Sequence, residues 1–207
     1  ASRCRTLSEP APRPLCFVVS APSGAGKTTL ASQLLERVPR LTRTISYTTR
    51  ERRKGERDGR DYFFVDRARF ERIRDDDGFL EWAEVHGNAY GTPRSEIDRI
   101  RAAGHDAVMV IDVQGAESVR RALPEAITIF VLPPSRRVLE ARLEGRDASD
   151  ARARAAIRER LGVAAHEIQQ YVSYDYLVVN DDLEDAAADL EAVVRAERAR
   201  RPRRAAH

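Results

Sequence analysis

The sequence predicts a three-layer α/β fold, with a mainly parallel sheet between helices and a small mixed insertion. Three observations predict it. Continuous apolar runs, such as Cys16-Phe17-Val18-Val19, Ala107 to Ile111 and Ala126 to Leu132, recur along the chain and mark strands covered on both faces. Helical stripes follow each run, and alternation of this kind builds a parallel sheet. Between residues 46 and 92 the pattern changes to short β runs and a hairpin.

Residues 1–14 hold Pro10, Pro12 and Pro14 and read as a flexible arm. The first strand leads through a turn of small residues to a helix with Leu30, Leu34, Leu35 and Val38 on one face. Thr42 to Arg50, TRTISYTTR, is expected as one short strand ending in polar residues. The charged loop Glu51 to Asp61 follows. Its Arg50, Arg52, Arg53 and Lys54 crowd a strand end, where open α/β sheets place ligand-binding groups. Tyr62 to Val65 is a second short strand, and Asp66 is an N-cap for a helix from Arg67 to about Arg74. Gly78 stops that helix. Phe79 to Gly91 reads as a hairpin with Gly87-Asn88 as its turn, and a helix from Arg94 to Ala103 ends at Gly104.

The second half returns to β–α repeats. The strand ending at Ile111 runs into Asp112, with Gln114-Gly115 opening the next helix. Ala126 to Leu132 is followed by Pro133-Pro134-Ser135 and a helix carrying Val138, Leu139 and Leu143. After the polar stretch 145–156, a long helix carries Ile157, Leu161, Ala164 and Ile168. Tyr176 to Val179 is the last strand, ending at Asn180-Asp181-Asp182. The final helix has its core stripe at Leu183, Ala187, Leu190 and Val194. The loop ends of the sheet are expected to gather Lys27, Arg50, Asp112 and Asn180 along one edge.

The turn after the first strand carries the clearest chemistry. Ala21-Pro22-Ser23-Gly24-Ala25-Gly26-Lys27-Thr28-Thr29 has the layout of a phosphate loop. Backbone N–H groups and the helix dipole form an anion cradle there, which no Cβ blocks at Gly24 or Gly26. Lys27 would reach the β/γ-phosphates and the Thr28 hydroxyl would sit on Mg²⁺. The pattern's first glycine is replaced by Ala21, which is harmless if its φ is negative. Asp112, at the end of a buried strand facing this loop, can hold the water shell of Mg²⁺. As a bare sequence feature it can equally cap the following helix.

At 207 residues, with 33% charged and 42% apolar positions, one domain with a substantial core is expected. No apolar run approaches the ~20 residues of a membrane span, and no signal peptide is visible. Cys4 and Cys16 have no metal-site spacing, which suits a reducing cytoplasm. Net charge is only +3, so a mixed solvated surface is expected rather than a nucleic-acid face. The arginines from Arg195 to Arg204 read as a frayed basic terminus.

Seven runs in order resemble guanylate kinases of bacterial type: SAPSGAGKTT (20–29), SYTTRERRKGE (46–56), YFFV from Tyr62, FLEWAEVHGNAYGT (79–92), IDVQG (111–115), LEGR (143–146) and YLVVNDD (176–182). The resemblance implies a P-loop NTP-hydrolase-like three-layer fold with a small mixed α/β GMP-binding insertion and a LID. It divides the chain into a CORE (15–45 and 95–198), a GMP-binding domain (46–94), a LID (about 144–160) and a basic tail (199–207). It implies transfer of the γ-phosphoryl of ATP to GMP or dGMP with Mg²⁺, and leaves a homo-oligomer open. No membrane or nucleic-acid partner is expected.

The resemblance also implies roles. Arg50 and Arg53 would grip the GMP phosphate, oriented by Glu56, with Tyr62 and Tyr90 adding hydroxyl donors. Glu81 would accept from guanine N1–H and the 2-amino group, Ser46 would bond O6, and Thr92 would support the base. Asp112 would also face GMP. Arg142, Arg146 and Arg160 would neutralise the ATP phosphates, and Asn180 would touch adenine. Two departures stand out beside Ala21. Val110 replaces an acid frequent two residues before Asp112, and the LID is longer than usual. Two alternatives remain at this stage: a non-catalytic guanylate-kinase-like interaction module, and a related kinase acting on a sugar phosphate.

Overall fold

In the computed structural model, residues 14–85, 87–147 and 151–200 are described, without the side chains of 145–147, 151–156, 158 and 159. In chain order the elements are β1 (Cys16–Ser20), α1 (Lys27–Arg37), β2 (Leu41–Arg43), β3 (Tyr47–Thr48), β4 (Phe63–Phe64), α2 (Arg67–Asp75), β5 (Phe79–Val85), β6 (Asn88–Pro93) and α3 (Arg94–Ala102). Then follow β7 (Asp106–Val110), α4 (Val113–Ala122), β8 (Ile127–Leu132), α5 (Arg136–Asp147), α6 (Ala151–Gln169), β9 (Tyr176–Val179) and α7 (Leu183–Ala199).

The apolar runs do what their patterning demands. β1, β2, β7, β8 and β9 pair in parallel, in the order β2-β7-β1-β8-β9. β1 lies at the centre, and all five of its residues are buried. One face packs Phe17, Val19, Ile129 and Val131 against Leu30 and Leu34 of α1 and Leu190 and Val194 of α7. The other packs Val18 and Met109 against Ile97 and Ile100 of α3 and Val119 of α4. Each such side chain stabilises by about 1.5–3 kcal/mol when fully removed from water. Cys16 belongs to this core as a free thiol, and burial pushes its pKa up to about 12.

A second sheet, β4-β3-β6-β5, stands beside the first. Phe70 of α2 packs there with Phe79, ring centroids 4.6 Å apart. The expected single strand over Thr42 to Arg50 is therefore two strands in two sheets. β2 ends at Arg43 beside Val108, and β3 begins at Tyr47 beside Phe63 and Gly91. Alternation of β-branched residues hides such a break, because each half satisfies the same pattern. The split also moves Arg50: Lys27, Asp112 and Asn180 follow strands of the larger sheet, whereas Arg50 follows β3 of the smaller one. In the hairpin, Asn88 already pairs with Val85, so it belongs to the strand and not to the turn.

The two crossings between the sheets lie next to one another. The chain leaves through Thr44, Ile45 and Ser46 and returns from β6 into α3. Glu96 in the first turn of α3 is buried, and its Oε2 accepts from the Ile45 N–H at 3.0 Å. Its charge is countered by Arg99 at 2.9 Å.

Helix α6 begins at Ala151, earlier than the apolar stripe from Ile157 indicates. The stretch Ala151 to Ala156 is composed of Ala and Arg, both strong helix formers, so propensity extends the helix ahead of the apolar stripe. The end of α7 is tied down: Arg198 Nε donates to Asp106 Oδ2 at 2.7 Å and its Nη2 to the Pro39 carbonyl at 2.9 Å. The fraying expected from Arg195 onward is thus not seen as far as Ala199, where the chain is still helix, because Asp106 offers Arg198 a part-buried partner. Residues 1–13 of the expected arm and 201–207 of the expected tail lie outside the described residues. Among the described residues, no helix is long and apolar enough to cross a membrane.

Candidate active site

The phosphate loop closes on itself through Ala25 N–H donating to the Pro22 carbonyl at 3.1 Å. Gly24 and Gly26 have φ of 88° and 91°, the left-handed region that glycine enters without strain. Ala21 is buried and is not among the described positive-φ residues, so the missing glycine costs the loop nothing in backbone strain. Gly26 is the N-cap of α1 and makes no side-chain cap bond, which leaves the helix's first N–H groups for an anion.

Two neighbours shape the loop from outside. A Cβ at Gly26 would lie 2.5 Å from Asn180 Nδ2, and one at Gly24 would lie 2.8 Å from Leu143 of α5. Asn180 is buried and donates Nδ2 to the Ala25 carbonyl at 2.7 Å, so its side chain holds the loop. Its own carbonyl accepts from Arg142 Nη2 at 3.1 Å. The other terminal nitrogen, Arg142 Nη1, is buried without a hydrogen-bond partner among the described residues. A buried guanidinium nitrogen without a partner is costly unless a ligand satisfies it.

Lys27 Nζ donates to the Ile111 carbonyl at 2.5 Å. Burial lowers its pKa, opposed by the nearby carboxylates of Asp112 and Glu167. Glu167 on α6 accepts from Ser23 N–H at 3.3 Å. This contact was not anticipated from sequence, since a Glu in a helix stripe carries no local signal. Asp112 is the N-cap of α4, with Oδ1 accepting from Gly115 N–H at 2.7 Å. The capping and ligand-facing readings are thus compatible, because one carboxylate oxygen caps and the other is left over.

Opposite the loop, Arg50, Arg53, Glu56, Tyr62 and Tyr90 share a cleft with Thr28, Arg43 and Asp61. Glu56 binds Arg50 Nη2 at 2.7 Å and the Arg53 N–H at 2.8 Å, fixing both arginines. Burial raises the Glu56 pKa, but these donors outweigh it and hold the carboxyl below its ordinary range. The Arg50 guanidinium lies 5.6 Å from the Tyr62 ring centroid, and Tyr62 meets Tyr90 edge-on at 5.9 Å. Arg43 and Asp61 complete the cleft and were not singled out from sequence. Arg43 was concealed inside the run read as one strand; only its place as the last residue of a core strand could have flagged it.

Deeper in, Glu81 is buried. Its Oε1 accepts from the Thr92 hydroxyl at 2.6 Å and the Thr92 N–H at 3.1 Å, and Thr92 Oγ1 meets Ser46 Oγ at 2.9 Å. Burial pushes the Glu81 carboxyl up to about 7, with Asp112 adding repulsion against the Thr92 bonds. Oε2 lies against α4, where a Cβ at Gly115 would fall 2.7 Å from it. Arg160 sits on α6 and Arg142 on α5; the Arg146 side chain lies outside the described residues.

Gly115 makes a prediction. It is helical, and alanine is the better helix former by about 1 kcal/mol. Gly115→Ala should therefore keep or raise thermal stability while displacing the Glu81 carboxylate. We expect KM for the acceptor to rise about tenfold, near the cost of one hydrogen bond to a charged group. Unchanged acceptor KM in steady-state kinetics would remove the helix α4 contact from the site.

Three comparisons bear on this cleft. The Guanylate kinase family model matches residues 13–197. The chain is 51% identical over 186 residues to a guanylate kinase of Aromatoleum aromaticum, covering 89% of each. It is 50% identical over 187 residues to that of Neisseria gonorrhoeae, covering 90% of each. Among solved structures, guanylate kinase from Anaplasma phagocytophilum superposes with a TM-score of 0.74 at 35% identity, covering 90% of this chain and 87% of that one.

Proposed function

The chain belongs to the guanylate kinase family, and from that premise we propose how its cleft carries out transfer of the γ-phosphoryl group of ATP to GMP. The enzyme is a nucleoside monophosphate kinase. The observation that carries the residue assignment is the pairing of a glycine-rich anion loop with a buried carboxylate, Glu81, bonded through Thr92 to Ser46.

In our reading, the smaller sheet and α2, residues 46–94, bind GMP, the larger sheet is the ATP-binding CORE, and the segment 144–160 is the LID. Glu81 accepts from guanine N1–H and the 2-amino group, and Ser46 donates to O6. Adenine offers neither donor, so AMP would leave a buried acceptor unpaired. Arg50 and Arg53 grip the GMP phosphate in forked, charge-assisted bonds, with Tyr62 and Tyr90 donating hydroxyls. dGMP shares the base and phosphate, and no described contact addresses the 2′ position.

The loop amides and Lys27 hold the ATP phosphates, and Arg142, Arg146 and Arg160 neutralise the group in flight. The acceptor oxygen is already anionic, so alignment and charge neutralisation suffice without a covalent intermediate. Asn180 supports the loop from behind and borders the adenine end.

The residues fit Mg²⁺ in its usual nucleotide-bound form. Thr28, whose hydroxyl could ligate the ion, lines the cleft, and Asp112 keeps one uncapped oxygen. Among the described residues no group of three or more ligands could cage a metal alone; Mg²⁺ characteristically relies on phosphates and water for the rest. When bound it would neutralise charge on the β- and γ-oxygens.

The test is coupled ADP release with GMP, AMP and ribose 5-phosphate as acceptors. GMP should turn over, with kcat/KM for AMP lower by about 10⁴-fold or more. Absence of turnover with GMP would sink the reading and leave a silent binding module.

A further inference from the structure

We propose that Arg43 is an additional phosphate-binding residue, gripping the acceptor phosphate from the core side, opposite Arg50 and Arg53. The proposal rests on the functional reading above and extends it to a residue outside the motif runs.

Position is the first ground. Arg43 ends β2 of the larger sheet, and its main chain is held by the pairing with Val108 and by Thr44 N–H donating to the Val108 carbonyl at 3.0 Å. Its side chain lines the same cleft as Thr28, Arg50, Arg53 and Tyr62. Arg50 and Arg53 reach that cleft from the smaller sheet. Arg43 reaches it from the body that carries the phosphate loop. A dianion in the cleft is then met by cations from both sides.

Charge balance is the second ground. Arg50 is neutralised by Glu56 at 2.7 Å. The Arg43 side chain makes no hydrogen bond or ion pair among the described residues, although it is half-buried and Asp61 lies within electrostatic reach. It also lies close enough to Lys27 and Tyr62 to lower the pKa of each by its charge. At Lys27 the carboxylates of Asp112 and Glu167 offset this repulsion, whereas no carboxylate bonds the Arg43 side chain among the described residues. A half-buried guanidinium beside another cation is unfavourable unless an anion joins them. The phosphate of a nucleoside monophosphate supplies nearly two negative charges and three acceptor oxygens. A forked donor is matched to such a group geometrically as well as electrically.

The experiment compares wild type with Arg43→Met and Arg43→Lys, using steady-state kinetics and calorimetric titration with GMP and with guanosine. Arg43→Met keeps the aliphatic stem and removes the charge. We expect its kcat/KM for GMP to fall about 10–100-fold, in line with the loss of a charge-assisted bond, with Arg43→Lys recovering part of it. Guanosine, which lacks the phosphate, should bind wild type and Arg43→Met alike. GMP affinity and kcat/KM within twofold of wild type would overturn the proposal. So would equal losses for GMP and guanosine, which would make Arg43 a structural residue. Inactivity of the wild type itself would instead overturn the functional reading.

Discussion

Glu81→Gln is expected to lower kcat/KM for GMP by roughly 10²–10⁴-fold, from two hydrogen bonds to a charged acceptor at about 1.5–3 kcal/mol each. Glutamine keeps the shape but offers one acceptor and presents an NH₂ to guanine donors. The Thr92 bonds to Oε1 orient the carboxylate in the wild type, so the fold should survive the exchange. KM for ATP should stay within a few-fold, and discrimination against AMP should shrink. The pH profile adds an independent check. The free-enzyme Glu81 carboxyl is raised by burial to about 7. Below that pH it is protonated and loses acceptor capacity; above it both oxygens accept. Thus kcat/KM for GMP should rise with pH through about 7, since this parameter follows free-enzyme ionisations. In Glu81→Gln that limb should vanish, leaving only ionisation of the GMP phosphate near about 6. A retained limb near 7, or a loss smaller than threefold, would assign guanine reading elsewhere.

Lys27→Met should reduce kcat by roughly 10³-fold, comparable to removing a main electrostatic donor from a transition state. The ammonium donates to the Ile111 carbonyl at 2.5 Å, facing Asp112 across the loop. Burial lowers its pKa against the carboxylates of Asp112 and Glu167, and a bound triphosphate would add countercharge that favours the ammonium. The amides of the loop remain in the variant, so ATP affinity should fall much less than kcat. Single-turnover kinetics at saturating ATP separates the two effects. A kcat within threefold of wild type would show that the loop amides alone carry the phosphates.

The fold was legible where a single residue pattern had one meaning. Buried strands such as Phe17 to Val19 and Ala107 to Met109 admit no other reading, and Gly24, Gly26 and Lys27 in sequence specify the loop. The miss at Thr42 to Arg50 has a definite cause: period-two alternation reports strand conformation but not which sheet a strand joins. Arg43 was hidden by the same ambiguity, since its place in the cleft comes from the break that follows it. Glu167 and the Asn180–Ala25 bond are long-range contacts, with partners more than a hundred residues apart along the chain. Such pairings are set by how helices dock, which no local spacing records. Asp112 was legible as a helix cap because the strand end and the first turn of α4 meet at that residue.

The adjacency of the two sheet crossings has an evolutionary consequence. Everything between Ile45 and Glu96 leaves and returns through adjacent crossings bridged by the Glu96 carboxylate, and it rests on the core where β5 packs against α4 and Leu80 joins the buried cluster. Such a unit behaves as a cassette: its ends stay put while its interior is rewritten. On the assignment proposed above, a different segment grafted onto those two anchor points, with its seat on α4 matched, is expected to change the acceptor while the phosphate loop stays in place.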